Sequence, residues 1–381
     1  MSMLRLRFSR IARMHGRDGY VFGGKDIKCD RLSCRDREEK EHPMKLLEIW
    51  KYCVAVSVVL TLLLFGLAVL TVEPPAPTEE LPPPEESVEK TEVLPPGKVD
   101  SSYTVRVLDG GVVAEIPMDE YLQCVVRAEM PASFAQEALC AQAVAARTYT
   151  LYKIISGGKH PEADVCTDAT CCQAYLAKEK AAEEWGGEAE KNEARIRNAV
   201  SATDGQTMVY GGVPILAVFH AASPGQTRRA GEVWSSDLPY LQSVSSPENA
   251  NAIPDYYSRV EVSAQAFRST FLQAHPEAKL SGDPAKWITG LITAEGGAHV
   301  DVVTVGGVTV RGVELRQLYG LRSAAFEVDV QNGSIVFFVT GYGHGVGMSQ
   351  YGAHEMAQQG AGWRDILMHY YSGIEIEVRG R

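Results

Sequence analysis

Between Asp119 and Tyr152 the chain reads DEYLQCVVRAEMPASFAQEALCAQAVAARTYTLY, a stretch that admits few folds. Tyr121, Leu122, Val125 and Val126 recur at helical spacing and mark one apolar face. Glu129 lies a further turn along and continues that face. Pro131 forbids the helix from running on, and its ring pushes Met130 towards extended geometry. A second helix is expected at once, with Ser133 as its N-cap and Gln136 in capping-box spacing. Six alanines between Ala135 and Ala146 make its first turns strongly helical and thin enough for close packing. The rest of the fold is expected to gather around two helices that meet at a corner, with one carboxylate at the corner.

Burial disfavours the charged form of a carboxylate and raises its pKa towards values useful to a general acid. The competing reading is structural: Glu129 caps the helix, or pairs with Arg127 or Arg147. Cys140 and Arg147 stand seven positions apart, hence on one helix face, and both are expected to look towards Glu129.

The remainder of the chain falls into blocks. Residues 1–51 are polar and basic without apolar periodicity and read as a disordered cytoplasmic segment; Met44, followed by Lys45-Leu46-Leu47, is an alternative start. Residues 52–72 carry no charge over 21 positions, the length of a membrane-spanning helix. The flank before them is basic and the flank after them acidic, which puts the N-terminus in the cytoplasm and the C-terminal domain outside. Residues 73–98 hold eight prolines and seven glutamates and read as an extended linker. That leaves 99–381 as one large domain, and with 45% hydrophobic residues in the chain an ample core is available. A net charge of −11 argues against a nucleic-acid binder.

Within this domain, Tyr103 to Leu108 alternates as a strand, Asp109-Gly110-Gly111 turns, and Val112 onward returns. Residues 176–202 read as a polar helix interrupted at Gly186-Gly187, and Tyr210-Gly211-Gly212-Val213 is a second hairpin signal. Residues 258–340 mix a helix near Ala264 to Leu272 with Val-rich strands. The expected class is α+β, a mostly antiparallel sheet region with packed helices segregated towards the first half, preceded by a single transmembrane helix.

Further constellations carry chemistry. His160, Cys166, Cys171 and Cys172 crowd into one short loop, and a histidine with three thiolates is a recognised tetrahedral zinc set with a structural role. A disulfide from Cys166, or free thiols, are the alternatives. After a strand ending at Phe219-His220, the small and polar residues around Ser223 read as a loop lining a groove. Trp234 and Tyr240 beyond it are flat surfaces of the kind that stack on sugars, although aromatics are more often core. The run Gly341-Tyr342-Gly343-His344-Gly345-Val346-Gly347-Met348-Ser349-Gln350-Tyr351 follows a strand and precedes a helix. It comes too close to the C-terminus for a dinucleotide fold, so no organic cofactor is expected. Its glycines allow close backbone approach, and its neutral hydrogen-bonding groups suit a sugar.

Taken together, Ala-Glu-Met-Pro at Ala128–Pro131, the alanine-rich helix ending in Arg147-Thr148-Tyr149, and the glycine run resemble the stage II sporulation protein D family over about residues 103–378. The resemblance implies a membrane-anchored lytic transglycosylase of peptidoglycan, with Glu129 as catalytic acid/base. It would cleave between N-acetylmuramic acid and N-acetylglucosamine in peptide-denuded strands during sporulation engulfment, the muramic 6-hydroxyl closing a 1,6-anhydro ring. Arg147, His220, Ser223, Tyr342, His344, Ser349, Gln350 and Tyr351 are the residues expected to bind the glycan. A partner amidase, membrane scaffold proteins and the membrane itself are the implied partners. The chain departs from the family at Cys124 for Gly, Cys140 for Lys, Cys171 for a metal-region His, and Ser223-Pro224-Gly225 for a Ser-Gly-Gly-like run. A non-enzymatic enhancer of an N-acetylmuramoyl-L-alanine amidase is the rival reading. A thiol peptidase is disfavoured because Cys124 and Cys140 fall within helices, away from an exposed helix start.

Overall fold

The computed structural model of the chain describes residues 98–294 and 297–380. The basic segment 1–51 with its alternative start at Met44, the apolar stretch 52–72 and, but for its last residue, the linker 73–98 lie outside the described residues. Among the described residues no helix is long and apolar enough to cross a membrane. The longest, Gln136–Ser156, carries Glu137, Arg147 and Lys153 and is packed inside protein. The expectation of a preceding transmembrane helix is corrected to no membrane-spanning helix among the described residues, whose fold class is α+β. Single-pass topology, attachment to the membrane through the chain's own helix, a cytoplasmic N-terminus and an extracytoplasmic domain, which rested on that helix, find no support among the described residues.

A hairpin opens the fold. Strands β1 (Thr104–Asp109) and β2 (Val112–Pro117) pair antiparallel from Thr104↔Pro117 to Asp109↔Val112. Gly110 and Gly111 supply the positive φ values, 56° and 88°, that such a two-residue turn requires. Helix α1 (Met118–Glu129) then buries Tyr121, Leu122, Val125 and Val126. It stops at Glu129 because Met130 is extended ahead of Pro131, at φ −128° and ψ 139°.

Helix α2 (Gln136–Ser156) is the centre of the first core, buried without interruption from Ala138 to Leu151. Its N-cap is Ala135, not the expected Ser133. Phe134 N–H bonds back to Pro131 O, which holds Ser133 in a turn, and the Ala135 amide donates to His354 Nδ1 at 3.0 Å. The short strand β3 (Val165–Cys166) runs parallel to β1. The interrupted polar helix is α3 (Lys178–Trp185) and α4 (Ala189–Ala202), joined by a 3-10 turn that begins at Gly186 with φ 52°. Strands β4 (Gln206–Tyr210) and β5 (Val213–Pro214) form the second expected hairpin, and β6 (Phe219–His220) follows.

A second core is built from the later segment: β7 (Tyr257–Ser263), α5 (Ala264–Ala274), β8 (Ile288–Thr293), β9 (Val300–Val305), β10 (Val308–Arg311), α6 (Gly312–Tyr319), β11 (Phe326–Gln331) and β12 (Ser334–Thr340). Its sheets, ordered β10-β9-β8 and β11-β12-β7, are antiparallel, with Phe267, Phe271 and Phe337 fully buried between them and the helices. The chain then returns through β13 (Met348–Ser349), which pairs parallel to β6, into α7 (Gln350–Gln358), α8 (Trp363–Tyr370) and β14 (Glu375–Val378), which completes the β4 sheet. Helices are therefore not confined to the first half. Those of the C-terminal quarter close the first core around α2, adding Ile366, Leu367, Tyr370 and Tyr371.

Arg147 belongs to this framework. Its guanidinium is 0% exposed, donates Nε–H to Asp100 Oδ1 at 2.8 Å and Nη2–H to Oδ2 at 2.5 Å, and binds Gln206 O. It fastens the start of the domain and β4 to the central helix. Removing one partner of a buried pair strands the other charge, so Arg147→Ala is expected to lower folding stability by about 3–5 kcal/mol. Denaturant titration measures this, and an unchanged midpoint contradicts it.

Candidate functional site

Glu129 ends α1 where the chain turns the corner. Its Oε1 accepts from the Ala174 amide at 2.8 Å and its Oε2 accepts from Gln350 Nε2 at 3.3 Å. Neither arginine of the competing reading reaches it: Arg127 forks onto Glu193 at 2.7–2.8 Å, and Arg147 holds Asp100. Burial raises the Glu129 carboxyl above its ordinary value, and the two hydrogen bonds offset only part of that rise. Its position at a helix C-terminus, where the helix dipole disfavours an anion, acts in the same direction. The result is a carboxyl group biased towards its protonated form with no cation beside it.

A cavity of about 200 Å³ opens over this group. Glu129, Pro131 and Phe134 line it from the corner, Ala221 and Ala222 from the loop after β6, and Tyr342, Gln350 and Tyr351 from the return of the chain. Ile253 to Tyr256 and Arg322 complete it from the side of the second core. Aromatic faces, one amide and one acid are the surfaces that a sugar ring with hydroxyl and acetamido groups would meet.

Of the residues expected to bind a ligand, Tyr342, Gln350 and Tyr351 share this cavity with Glu129. The others do not line it. Arg147 is framework. Ser223 and Ser349 are 0% exposed, and both are gathered by Glu248, which accepts from Ser349 Oγ at 2.7 Å, Ser246 Oγ at 2.8 Å and the Ser223 amide at 3.0 Å. Ser349 also caps α7, so this network fixes where Gln350 begins the helix. His220 is buried with its Nδ1 beside Val346 O, and its ring lies 5.6 Å from that of His344. Desolvation pushes His220 well below its ordinary pKa and His344 down to about 4, so both imidazoles are neutral near pH 7. Trp234 packs at a tilt against His344, with ring centres 5.4 Å apart, and the buried Tyr240 hydroxyl accepts from the Leu216 amide; both are part of the scaffold. Cys140 is 3% exposed, and burial pushes its thiol up to about 12, which leaves no reactive thiolate.

The glycine run does what its spacing implies. Gly341, Gly343, Gly345 and Gly347 all have positive φ, and side chains alternate with them. A Cβ on Gly343 would stand 2.6 Å from that of His220, and one on Gly347 would stand 2.1 Å from Val218 O. Only glycine lets this strand press against β6 and deliver Tyr342 and Gln350 to the cavity.

Sequence reading missed three residues. Arg322 and Asp255 line the cavity, and Glu248 braces it, yet each lies more than a hundred positions from Glu129 in unremarkable local sequence. A lone Asp or Arg in a loop gives no pattern to find.

The second constellation is assembled as expected. His160, Cys166, Cys171 and Cys172 bring their ligand atoms within 4.8 Å of one another, and Cys171 Sγ lies 3.4 Å from His160 Nε2. A tetrahedral zinc site has ligand-to-ligand edges of about 3.4–3.8 Å, from bonds of about 2.0–2.3 Å. All the described cysteines are free thiols, so no disulfide forms in this loop. The four residues make a cluster able to coordinate a metal ion. The chain continues from Cys172 through Gln173, which binds Tyr121 Oη and Thr150 Oγ1, to the Ala174 amide that holds Glu129. The metal cluster and the acid are thus two ends of one short segment.

Comparison with known proteins agrees with this arrangement. The family model for Stage II sporulation protein matches residues 109–210, which span the helical corner and the metal cluster. Stage II sporulation protein D of Bacillus amyloliquefaciens and that of Bacillus subtilis (strain 168) are each 38% identical over 267 residues, 69% of this chain and 75% of theirs. The Amidase enhancer of Bacillus subtilis (strain 168) is 29% identical over 301 residues, covering 67% of this chain but 40% of that protein. With a matched motif region and relatives of this extent, the chain belongs to the stage II sporulation protein D family.

Proposed function

We propose that the domain spanning 99–381 is a peptidoglycan lytic transglycosylase that cleaves between N-acetylmuramic acid and N-acetylglucosamine in peptide-denuded strands. The observation that carries this reading is Glu129: a buried acid, with no ion-pair partner among the described residues, in a cavity lined by aromatic faces. In its protonated form Glu129 donates to the glycosidic oxygen as the bond breaks. As a carboxylate it then takes the proton of the muramic 6-hydroxyl, which attacks the anomeric carbon and closes the 1,6-anhydro ring. One carboxylate serves both steps. Hydrolases with two acids place the second where it can act on water or on the sugar. Here Asp255, the cavity's other carboxylate, is 78% exposed and engaged by Arg322 at 3.1 Å, while Glu248 is enclosed by its serines. Both features support the single-acid mechanism. Gln350 orients the acid, and Tyr342 and Tyr351 offer surfaces to the sugars. Sporulation engulfment is the proposed setting, with an amidase that strips the stem peptides as partner.

The likeness to an amidase enhancer supports a second reading, a wall-binding domain that raises the rate of a partner amidase. One variant separates the two. Glu129→Gln is nearly isosteric but cannot exchange a proton, so glycan cleavage should fall about 10²–10⁴-fold while glycan binding persists. Wild-type protein that binds glycan, never cuts it and accelerates an amidase establishes the enhancer instead.

The acid must be protonated when it first acts, so the rate should hold at low pH and fall as pH rises through the raised Glu129 pKa. Gln350 stabilises the anion, hence Gln350→Leu removes that stabilisation and raises the pKa further. The descending limb of the pH–rate profile should move to higher pH. Movement to lower pH contradicts the assignment.

Zinc is the proposed occupant of the His160–Cys166–Cys171–Cys172 cluster. Four protein ligands leave no open position, which makes the role structural. Metal analysis of purified protein should find about one zinc per chain. Chelation should lower the melting temperature, and Cys172→Ser should do the same. A metal-free protein with unaltered melting contradicts the site.

A further inference from the structure

We propose that Arg322, placed over the Tyr342 ring, is a carboxylate-binding subsite of the Glu129 cavity, whose ligand in the glycan strand is the free lactyl carboxylate of the muramic sugar. This deepens the glycan-cleaving reading and rests on it.

Arg322 is anchored by its backbone. Gly320, at φ 63°, ends α6, and the next turn is tied to the glycine run: Gly343 N–H donates to Arg322 O at 2.9 Å, and Ser323 Oγ–H donates to Thr340 O at 2.6 Å. The guanidinium carbon lies 4.3 Å from the centre of the Tyr342 ring, a cation–π contact. Its Nε–H is buried and has no hydrogen-bond partner among the described residues. A guanidinium that lines a ligand cavity calls for a planar anion, and guanidinium binds carboxylate through two parallel hydrogen bonds.

One carboxylate already stands there. Asp255 Oδ2 lies 3.1 Å from Arg322 Nη1, on a side chain 78% exposed. Its backbone has φ 51°, one of two described non-glycine residues in the left-handed region. A solvent-exposed ion pair is weakly held, so a ligand carboxylate seated in the cavity displaces Asp255 from the fork. Asp255 is in effect a placeholder on the fork.

The muramic sugar carries its carboxylate on a lactyl ether. With a stem peptide attached that group is a neutral amide; with the peptide removed it is an anion. Arg322 therefore distinguishes the two states of the strand at the sugar itself. Carboxylates of a retained peptide are the other source of the same chemistry, and the test separates them.

Three strands are compared: peptide-free glycan, the same glycan with its lactyl carboxylates converted to methylamides, and peptide-bearing glycan. Cleavage and equilibrium binding are both measured. Wild-type protein should prefer peptide-free to methylamide strands by about 10- to 100-fold in kcat/KM. In Arg322→Gln the ratio should approach one, with Arg322→Lys between. Asp255→Asn, a change on an exposed side chain, should raise the preference for peptide-free over methylamide strands by a further factor of about two to five. Equal use of the first two strands by wild type, an Arg322→Gln variant that keeps the preference, or an Asp255→Asn variant whose preference falls overturns the proposal. Arg322-dependent preference for peptide-bearing strands assigns the carboxylate to the peptide and overturns the lactyl assignment. If no strand is cut, the lyase reading fails, and the same comparison in binding alone still decides whether Arg322 reads a carboxylate. Circular dichroism and melting of each variant exclude misfolding.

Discussion

Glu129 is buried at the end of a helix with hydrogen-bond donors but no cation to neutralise it, and much of the surrounding structure exists to keep it so. Pro131 ends α1 at that residue and turns the chain. The thin, alanine-rich α2 lets the corner pack tightly, while both nearby arginines are occupied elsewhere, by Glu193 and Asp100. The donors that remain, the Ala174 amide and Gln350, come from distant parts of the chain. A salt bridge to Glu129 would stabilise its anion and abolish its value as an acid.

Two supports hold those donors. The segment after Cys172 is fastened at one end by the metal-binding cluster and in the middle by Gln173, so the Ala174 amide arrives in a fixed position. Gln350 is placed by the glycine run and by Ser349, whose hydroxyl both caps α7 and donates to Glu248. Behind them, His220 and His344 pack as neutral rings. The remaining wall of the cavity, on the side of the second core, carries Arg322 and Asp255.

Much of this was legible in the sequence because local rules dominate there. Apolar periodicity and Pro131 define the corner, paired glycines define both hairpins, and clustered cysteines define the metal loop. What stayed hidden depends on pairing across the chain. Arg147 falls on the face expected to look towards Glu129, yet Asp100, near the start of the domain, draws it into the framework. Ser223, His220, His344 and Ser349 sit in the right loops with side chains turned inward. Helical phase and loop composition say which segments meet, but not which polar side chain faces solvent when several neighbours compete for it. Ser133 shows the same limit on a smaller scale, losing the cap to a proline turn and a histidine from α7.

The single-acid mechanism leaves a chemical signature that no two-acid hydrolase shares, since the attacking hydroxyl belongs to the sugar being cut. Mass spectrometry of the products from peptide-free glycan reads it directly. The account predicts muramic ends lighter by one water, in the 1,6-anhydro form. Ordinary reducing ends, with oxygen from solvent water incorporated at the cleaved carbon, would contradict it.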